Sequence, residues 1–266
     1  MKAGKHAGGR RRPRRKPEKQ RKVLFDIVSG AVLIAAVCVF VFSLYQLVMM
    51  LVPYYTGGKE YDEIQDLAVE ADADGTGFSV DFDELLAINS DTIAWIRFDE
   101  PSIINYPVVK SADNEEYLTK TFQENDNKLG AIFMDMRNNS DFSDKNTIIY
   151  GHRLNVSPDM FSRLNLYEDE AFCREHPDFY IYTPDGKVRT YTVFAAGEIS
   201  ATAENYVVDF SSDEEYGRFL EQCRSDSDYQ VDVELNAQSQ IVTLSTCTGN
   251  GHANRFVVRG VLTAVD

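Results

Sequence analysis

Residues 240–262 read QIVTLSTCTGNGHANRFVVRGVL and contain two segments with the composition of β-strands. Gln240–Cys247 and Arg255–Thr263 are rich in β-branched residues, which favour extended backbone. The seven residues between them, Thr248–Asn254, contain two glycines and two asparagines and predict a loop. The stretch therefore predicts a β-hairpin, with a cysteine where the first strand ends and an arginine where the second begins.

Cys247 and Arg255 are expected at the same end of this hairpin. A positive charge beside a thiol lowers its pKa, and the thiolate is the nucleophile of cysteine enzymes. A buried structural cysteine on a strand is the alternative. The glycine, asparagine and arginine that follow Cys247 argue against it, because a strand end beside a polar loop is not an apolar core. The residues therefore favour Cys247 as a nucleophile.

Four histidines are candidates for the proton donor that a cysteine nucleophile needs for its leaving group. His6 lies in a basic tail, and His176 is expected to cap the end of a helix. His152 follows the predicted strand Asn146–Tyr150 and a glycine, whereas His252 lies in the hairpin loop. A strand end holds a catalytic group more firmly than a loop tip, so the residues favour His152 and leave His252 open.

The acid-rich stretch from Asp135 to Asp144 is the one segment that suggests a cation site. Its aspartates lack the spacing of a metal-binding loop, so a solvated turn is the preferred interpretation. We predict neither a metal nor a cofactor.

The charge of the chain is divided unevenly along its 266 residues, a length that suits one domain with appendages. Residues 1–30 contain eleven Lys and Arg and two acidic residues, a sum of +9. Since the whole chain carries −15, residues 31–266 carry −24. A basic tail is typical of a nucleic-acid-binding arm or of a targeting segment, and the residues that follow favour targeting.

Residues 27–52 contain no charged side chain. A helix of this length reaches roughly 39 Å, enough to cross a hydrocarbon core of about 30 Å. A cleaved signal peptide would have a shorter apolar region followed by small residues. We predict a basic cytoplasmic tail (1–26), a transmembrane signal anchor (27–52), an acidic stalk (53–80) and an extracytoplasmic catalytic domain (81–266). The bilayer is thus a predicted partner, nucleic acid is not, and the predicted location is the cell membrane.

Nine short segments rich in β-branched and aromatic residues predict strands. They are Thr92–Phe98, Ile103–Val109, Gly130–Met136, Asn146–Tyr150, Phe179–Thr183, Val188–Gly197, Gln230–Leu235, Gln240–Cys247 and Arg255–Thr263. The predicted helices are one capped by Asp81, Met160–Leu166 opened by Ser157-Pro158, Glu168–Glu175, and one capped by Ser212 that carries Cys223 on its apolar face. Many short strands with few helices are typical of a closed barrel or a sandwich.

The sequence around Cys247 closely resembles that of the sortases. The match consists of Thr243-Leu-Ser-Thr-Cys247, Arg255 eight residues later, and Tyr150-Gly-His152 upstream. These three elements, in this order behind a signal anchor, are far more specific than a cysteine motif alone.

Class B of that family is the branch that the chain resembles best, on Asn105-Tyr-Pro-Val-Val109 and Gly130-Ala-Ile-Phe-Met-Asp135 among other segments. The resemblance covers roughly residues 81–264. It implies a mainly β fold, a closed barrel of about eight strands with N-terminal helices and one long helix before the last strands. A single transmembrane helix precedes this barrel.

The resemblance also implies a reaction of Gram-positive cell envelopes. Cys247 attacks the carbonyl after the threonine of a sorting signal near the C-terminus of a surface protein, and His152 protonates the departing amine. Arg255 holds the substrate backbone or stabilises the oxyanion. An amine of peptidoglycan, or of its lipid-linked precursor, then resolves the thioester. The class suggests sorting motifs of the Asn-Pro-x-Thr kind.

Substrate contacts are implied by the same resemblance, residue by residue. They are Asn114, Leu118, Thr202, Tyr206, Val207, Ser245 and Thr246. The chain departs from some class B members at Thr248, where they have an acid directly after the cysteine.

Three other functions are compatible with these features. A pilin-polymerising sortase uses the same chemistry, and the lack of an obvious lid segment before the barrel weighs against it. A cysteine endopeptidase releases the thioester to water instead of an amine. An inactive surface-binding domain keeps only the fold, and the intact cysteine, histidine and arginine argue against that.

Overall fold

The computed structural model describes residues 18–71, 77–101, 104–154, 157–248 and 251–266. Within these ranges only the backbone is described at positions 18, 19, 71, 203, 247, 248, 251 and 252. Most of the predicted basic tail, with His6, lies outside the described residues. The chain divides into two compact units, Met1–Leu51 and Val52–Asp266.

The first unit contains the N-terminal part of helix α1 (Glu18–Ala68). Large apolar side chains are exposed along it from Val23 to Leu51. The most apolar 18-residue window of Gln20–Ala68 has a mean hydropathy of 2.7 and no buried residue. An apolar surface of this kind is stable in hydrocarbon rather than in water. By length and composition α1 is therefore a candidate membrane span.

The second unit begins with the remainder of α1. Gly57, Tyr61, Ile64 and Ala68 are buried and recur at spacings of four, three and four, so they form one face of the helix. Strands β1 (Val69–Ala71) and β2 (Phe78–Val80) follow and pair with each other in antiparallel orientation. The segment 53–80, predicted as an acidic stalk with a short helix around Tyr61–Glu70, is helical as far as Ala68, and this helix has a buried face.

Eight strands close a barrel in this unit. They are β3 (Thr92–Arg97), β4 (Asn105–Val109), β5 (Ile132–Met134), β6 (Asn146–Tyr150), β7 (Asp178–Tyr182), β8 (Val188–Ser200), β9 (Ile241–Thr248) and β10 (Gly251–Val265). Their order around the barrel is β10-β8-β7-β3-β4-β5-β6-β9. The pairs β4–β5 and β6–β9 are parallel, and the other pairs are antiparallel. The predicted closed barrel is confirmed.

Among the described residues, three α-helices and three short 3₁₀ helices precede or connect the barrel strands. They are α2 (Phe82–Ile88), α3 (Glu170–Glu175), α4 (Asp213–Ser225) and the 3₁₀ helices Glu116–Leu118, Phe161–Glu168 and Ala203–Asn205. As predicted, Asp81 caps α2 by accepting from two backbone N–H groups, and Ser212 caps α4 by accepting from the N–H of Glu215. His176 is the C-cap residue of α3, also as predicted.

The predicted strand Gln230–Leu235 is wrong, because this segment has no strand structure in the described chain. Strands form where a neighbour offers unpaired backbone groups, and here none does. The barrel is closed, so β8 and β9 each already have a partner on both sides.

The predicted helix start at Ser157-Pro158 is also wrong. The 3₁₀ helix begins at Phe161 after Met160, whose φ of 55° breaks the helical path. Ser157 accepts a hydrogen bond from the N–H of Asp159, which makes a local turn instead.

Two hydrophobic clusters stabilise the unit. The larger one fills the barrel around Trp95, whose indole N–H donates to the side-chain oxygen of Asn105 at 2.7 Å. The smaller one lies between α4 and the barrel and includes Cys223, which confirms that this cysteine is a core residue. Burial raises the pKa of Cys223 to about 11 and also raises the pKa of the buried Cys173. Both thiols are therefore protonated at neutral pH.

Candidate active site

The parallel pairing of β6 with β9 brings two distant segments to one end of the barrel. Tyr150 lies opposite Ser245, and the N–H of Gly151 donates to the carbonyl of Ser245 at 3.2 Å. Two residues further along the chain are His152, just past the end of β6, and Cys247, near the end of β9. The backbone positions of the predicted histidine and cysteine therefore lie at neighbouring strand ends.

The antiparallel pairing of β9 with β10 brings Arg255 to the same end. In this register the backbone of Arg255 is directly opposite that of Cys247. Strand β10 starts at Gly251, earlier than the sequence predicts, and its register shifts between Gly251 and Arg255. The side chains of Cys247 and His252 lie outside the described residues.

His152 is held by a hydrogen bond to the backbone. Its Nε2 lies 2.7 Å from the carbonyl oxygen of Leu118. A carbonyl oxygen only accepts, so this contact requires a hydrogen on Nε2. In the neutral ring, Nδ1 is then the nitrogen without a hydrogen.

Two glycines allow the close packing around this histidine. Gly130 has a φ of +63°, and a Cβ there would lie 2.8 Å from Cδ2 of His152 and 2.7 Å from the carbonyl oxygen of Tyr117. A Cβ at Gly151 would lie 2.7 Å from the ring of Phe161. Both distances are too short for a side chain, so the position of His152 depends on glycine at both sites.

A cavity of about 250 Å³ opens beside His152. Its lining consists of Asn114, Leu118, Phe133, Tyr150, Gly151, His152, Ser245, Thr246 and Arg255. Four of the seven predicted substrate contacts are therefore gathered here with the predicted histidine and arginine. The guanidinium of Arg255 donates to the carbonyl of Asn254 at 3.0 Å and adds a positive charge to the cavity.

The other three predicted contacts, Thr202, Tyr206 and Val207, are not among the described lining residues. Tyr206 nevertheless contacts the lining, because its hydroxyl lies 2.9 Å from Oγ of Ser245. The carbonyl of Val207 accepts from the amide of the buried Asn146 at 2.7 Å. Thr202 is exposed in the same loop.

Asp135 is a site residue that the sequence interpretation missed. Its carboxylate is buried and accepts two hydrogen bonds from the guanidinium of Arg137, both at 2.8 Å. It also accepts from the hydroxyl of Tyr150 at 2.8 Å and from the amide of Asn114 at 3.2 Å. Burial acts to raise the pKa of Asp135, but the hydrogen bonds outweigh it and the net shift is downward.

The interpretation of Asp135 as part of a solvated turn is therefore wrong. The charged carboxylate orients two cavity residues, Tyr150 and Asn114, and is itself neutralised by Arg137. The sequence feature that marks Asp135 is its position within a predicted buried strand, where a carboxylate needs a hydrogen-bonding or oppositely charged partner.

Comparison with known proteins identifies the family. The sortase domain family model matches residues 99–263. Sortase B of Staphylococcus aureus is 35% identical over 167 residues, which are 62% of this chain and 67% of that protein. Sortase B of Listeria monocytogenes is 31% identical over 183 residues, 67% of this chain and 72% of that protein.

A solved structure supports the same assignment. The crystal structure of sortase B from B. anthracis in complex with AAEK1 superposes with a TM-score of 0.70 at 34% identity. The match covers 80% of this chain and 99% of that one. The chain therefore belongs to the sortase family of cysteine transpeptidases and is similar to its class B members.

Proposed function

We propose that this protein is a membrane-anchored transpeptidase that cleaves a sorting signal after threonine and joins the released surface protein to a cell-wall amine. The observation that carries the proposal is the strand register, which supports a site built from residues 152, 247 and 255. The cavity beside His152 supports the same site, because it provides room for a peptide next to these positions.

The proposed reaction has two steps. The Cys247 thiolate bonds to the threonine carbonyl carbon, the C–N bond to the next residue breaks, and His152 gives its proton to the departing amine. An incoming amine then attacks the thioester, passes a proton to His152 and releases the thiolate. In both steps Arg255 supplies positive charge for the oxyanion or for the substrate backbone.

The proposed substrate contacts are supported by the wall of the cavity, which has an apolar side and an unpaired hydroxyl group. Leu118, Phe133 and Tyr150 offer an apolar side to a peptide. The hydroxyl of Thr246 is buried without a hydrogen-bond partner among the described residues. An unpaired buried hydroxyl costs about 1–3 kcal/mol, so a substrate backbone group that pairs with it gains affinity. We include Asn114, Ser245, Thr202, Tyr206 and Val207 in the proposed substrate groove.

The proposed topology follows the sequence-based division into a tail (1–26), a span (27–52), a stalk (53–80) and a catalytic domain (81–266). It is supported by the exposed apolar surface of α1 and by the excess of Lys and Arg that precedes it. The acidic remainder, and with it the sorting-signal chemistry, then lies outside the cell.

The proposal predicts two products from peptides that carry an Asn-Pro-x-Thr motif. With the full chain in detergent micelles and an amine acceptor present, mass spectrometry is expected to find the threonine carbonyl joined to the amine. Without an acceptor, slow hydrolysis at the same bond is expected. Hydrolysis alone, even with several amines, would indicate an endopeptidase, and binding without any product would indicate an inactive surface-binding domain.

Arg255→Lys is expected to lower kcat/KM by on the order of ten- to a hundredfold. Lysine keeps the charge but loses the planar set of donors with which arginine can bind the oxyanion and a substrate carbonyl together. Steady-state kinetics with the same peptides measure the change. Arg218→Lys, at an exposed position on α4, is the matched control. Wild-type kinetics for both Arg255→Lys and Arg255→Ala would contradict the role of this residue.

A further inference from the structure

One face of the membrane-proximal part of α1 packs against a turn that reaches the active site. We define the 127–130 turn as Asn127–Gly130, in which the N–H of Gly130 donates to the carbonyl of Asn127 at 3.2 Å. Pro53, Gly57 and Tyr61 follow one another at intervals of four residues, so they lie along one face of the helix. All three contact this turn.

The first two contacts bring the helix close to the turn. The side-chain amide of Asn127 donates to the carbonyl of Pro53 at 2.9 Å. A Cβ at Gly57 would lie 2.9 Å from Cδ2 of Leu129 and 3.0 Å from Nδ2 of Asn127. The absence of a side chain at Gly57 therefore permits this close approach.

The third contact is the most buried one. The hydroxyl of Tyr61 donates to the carbonyl of Gly130 at 2.8 Å and accepts from the N–H of Phe122 at 3.1 Å. Burial raises the pKa of Tyr61, so the hydroxyl keeps its proton and remains a donor. Its ring packs edge-on against Tyr106, with the ring centroids 5.4 Å apart. The ring and the hydroxyl thus have separate partners.

The last residue of the 127–130 turn, Gly130, contacts the ring of His152. Gly130 borders Cδ2 of His152 so closely that no Cβ fits between them. The neighbouring ring atom, Nε2, lies 2.7 Å from the carbonyl oxygen of Leu118, and that oxygen would be 3.0 Å from a Cβ at Gly130. A shift of Gly130 therefore changes the space that the imidazole occupies.

We propose that Tyr61 is a positioning residue for His152, through which the membrane-proximal face of α1 sets the geometry of the active site. The inference rests on the proposed catalytic role of His152. It adds that residues 53–68 are required for full activity as well as for attachment, because they hold the turn against which the histidine packs. A misplacement of about 1 Å at a reacting group costs up to a hundredfold in rate.

Tyr61→Phe tests this proposal, because it removes the hydroxyl and keeps the ring in the core. In the full chain in detergent micelles we expect kcat to fall about tenfold or more with KM unchanged. In a histidine-labelled sample the NMR signal of the Cδ2 proton of His152, assigned with His152→Ala, is expected to shift. Tyr216→Phe is the matched control, because Tyr216 is also buried and its hydroxyl lies within hydrogen-bond distance of two carbonyl oxygens, those of Lys145 at 2.9 Å and Ser239 at 2.8 Å.

Asn127→Asp provides a second variant in case Tyr61→Phe folds poorly. It keeps the oxygen that accepts from the N–H of Leu129 and removes the donor to Pro53. The same fall in kcat and shift of the His152 signal are expected. An unchanged kcat and NMR signal in both folded variants would overturn the positioning role while leaving the proposed function intact. Full activity of His152→Ala would instead overturn the proposed function and, with it, this inference.

Discussion

Replacing Cys247 by alanine is expected to abolish cleavage and transfer, with a loss of at least about 10⁴-fold in kcat/KM. Without the thiolate no thioester forms, so the first step of the proposed reaction is lost. Two measurements check this. The rate is followed with sorting-signal peptides, and the covalent acyl-enzyme is sought by mass spectrometry of the intact chain, where only the wild type gains the mass of the peptide fragment.

The other cysteines of the domain provide the controls. Cys173 and Cys223 are buried, and burial raises the pKa of both thiols, so neither is a competing nucleophile at neutral pH. Cys173→Ala and Cys223→Ala are expected to lose some stability and to keep the acyl-enzyme. A Cys247→Ala variant that still cleaved would rule out the proposed mechanism.

His152→Ala is expected to lower kcat by about 10²- to 10⁴-fold, the usual contribution of a general acid. Such a loss corresponds to about 3–5 kcal/mol of transition-state stabilisation. The hydrogen bond between Nε2 and Leu118 that also disappears contributes only about 1 kcal/mol to stability. A large rate loss in a variant that unfolds near the wild-type temperature is therefore a catalytic effect and not a folding defect.

Two histidines serve as comparisons in this experiment. His176 caps α3 through its backbone N–H, so His176→Ala is expected to keep both the cap and the activity. His252→Ala addresses the alternative that the residues left open, and near wild-type kinetics are expected. If His252→Ala lost activity and His152→Ala kept it, the proton donor would be His252.

Much of the fold follows from local sequence patterns. Asn146–Tyr150 is a strand with the predicted bounds, and the predicted segments 92–98 and 179–183 agree with the observed strands 92–97 and 178–182 to within one residue at each end. Strand propensity and the pattern of apolar residues depend on only a few neighbouring residues. They therefore predict a strand without knowledge of the strands that pair with it. Gln230–Leu235 has the same composition and forms no strand, because pairing depends on a partner that the closed barrel does not supply.

The residues of the candidate site also fall into those that the sequence predicts and those that it does not. Residues 152, 247 and 255 lie at predicted strand ends and match a family motif, in which Arg255 follows Cys247 by eight residues and Tyr150-Gly-His152 lies upstream. Tyr61 and Asp135 were not predicted as site residues, although a pattern in the sequence marks each of them. The buried positions 57, 61, 64 and 68 have helical spacing within an otherwise acidic segment, and Asp135 interrupts an apolar strand.

The sequence by itself determined the family, the sortase barrel and the apolar helix before it, because these depend on motifs and on periodicities within a few residues. Only the tertiary structure decided what holds the candidate active site together. The hydroxyl of Tyr61 meets Gly130 across 69 residues of chain, and the parallel register of β6 with β9 places Tyr150 opposite Ser245, each two residues before a predicted catalytic position. Contacts of this kind depend on which surfaces pack together, and no local pattern of residues specifies their distances.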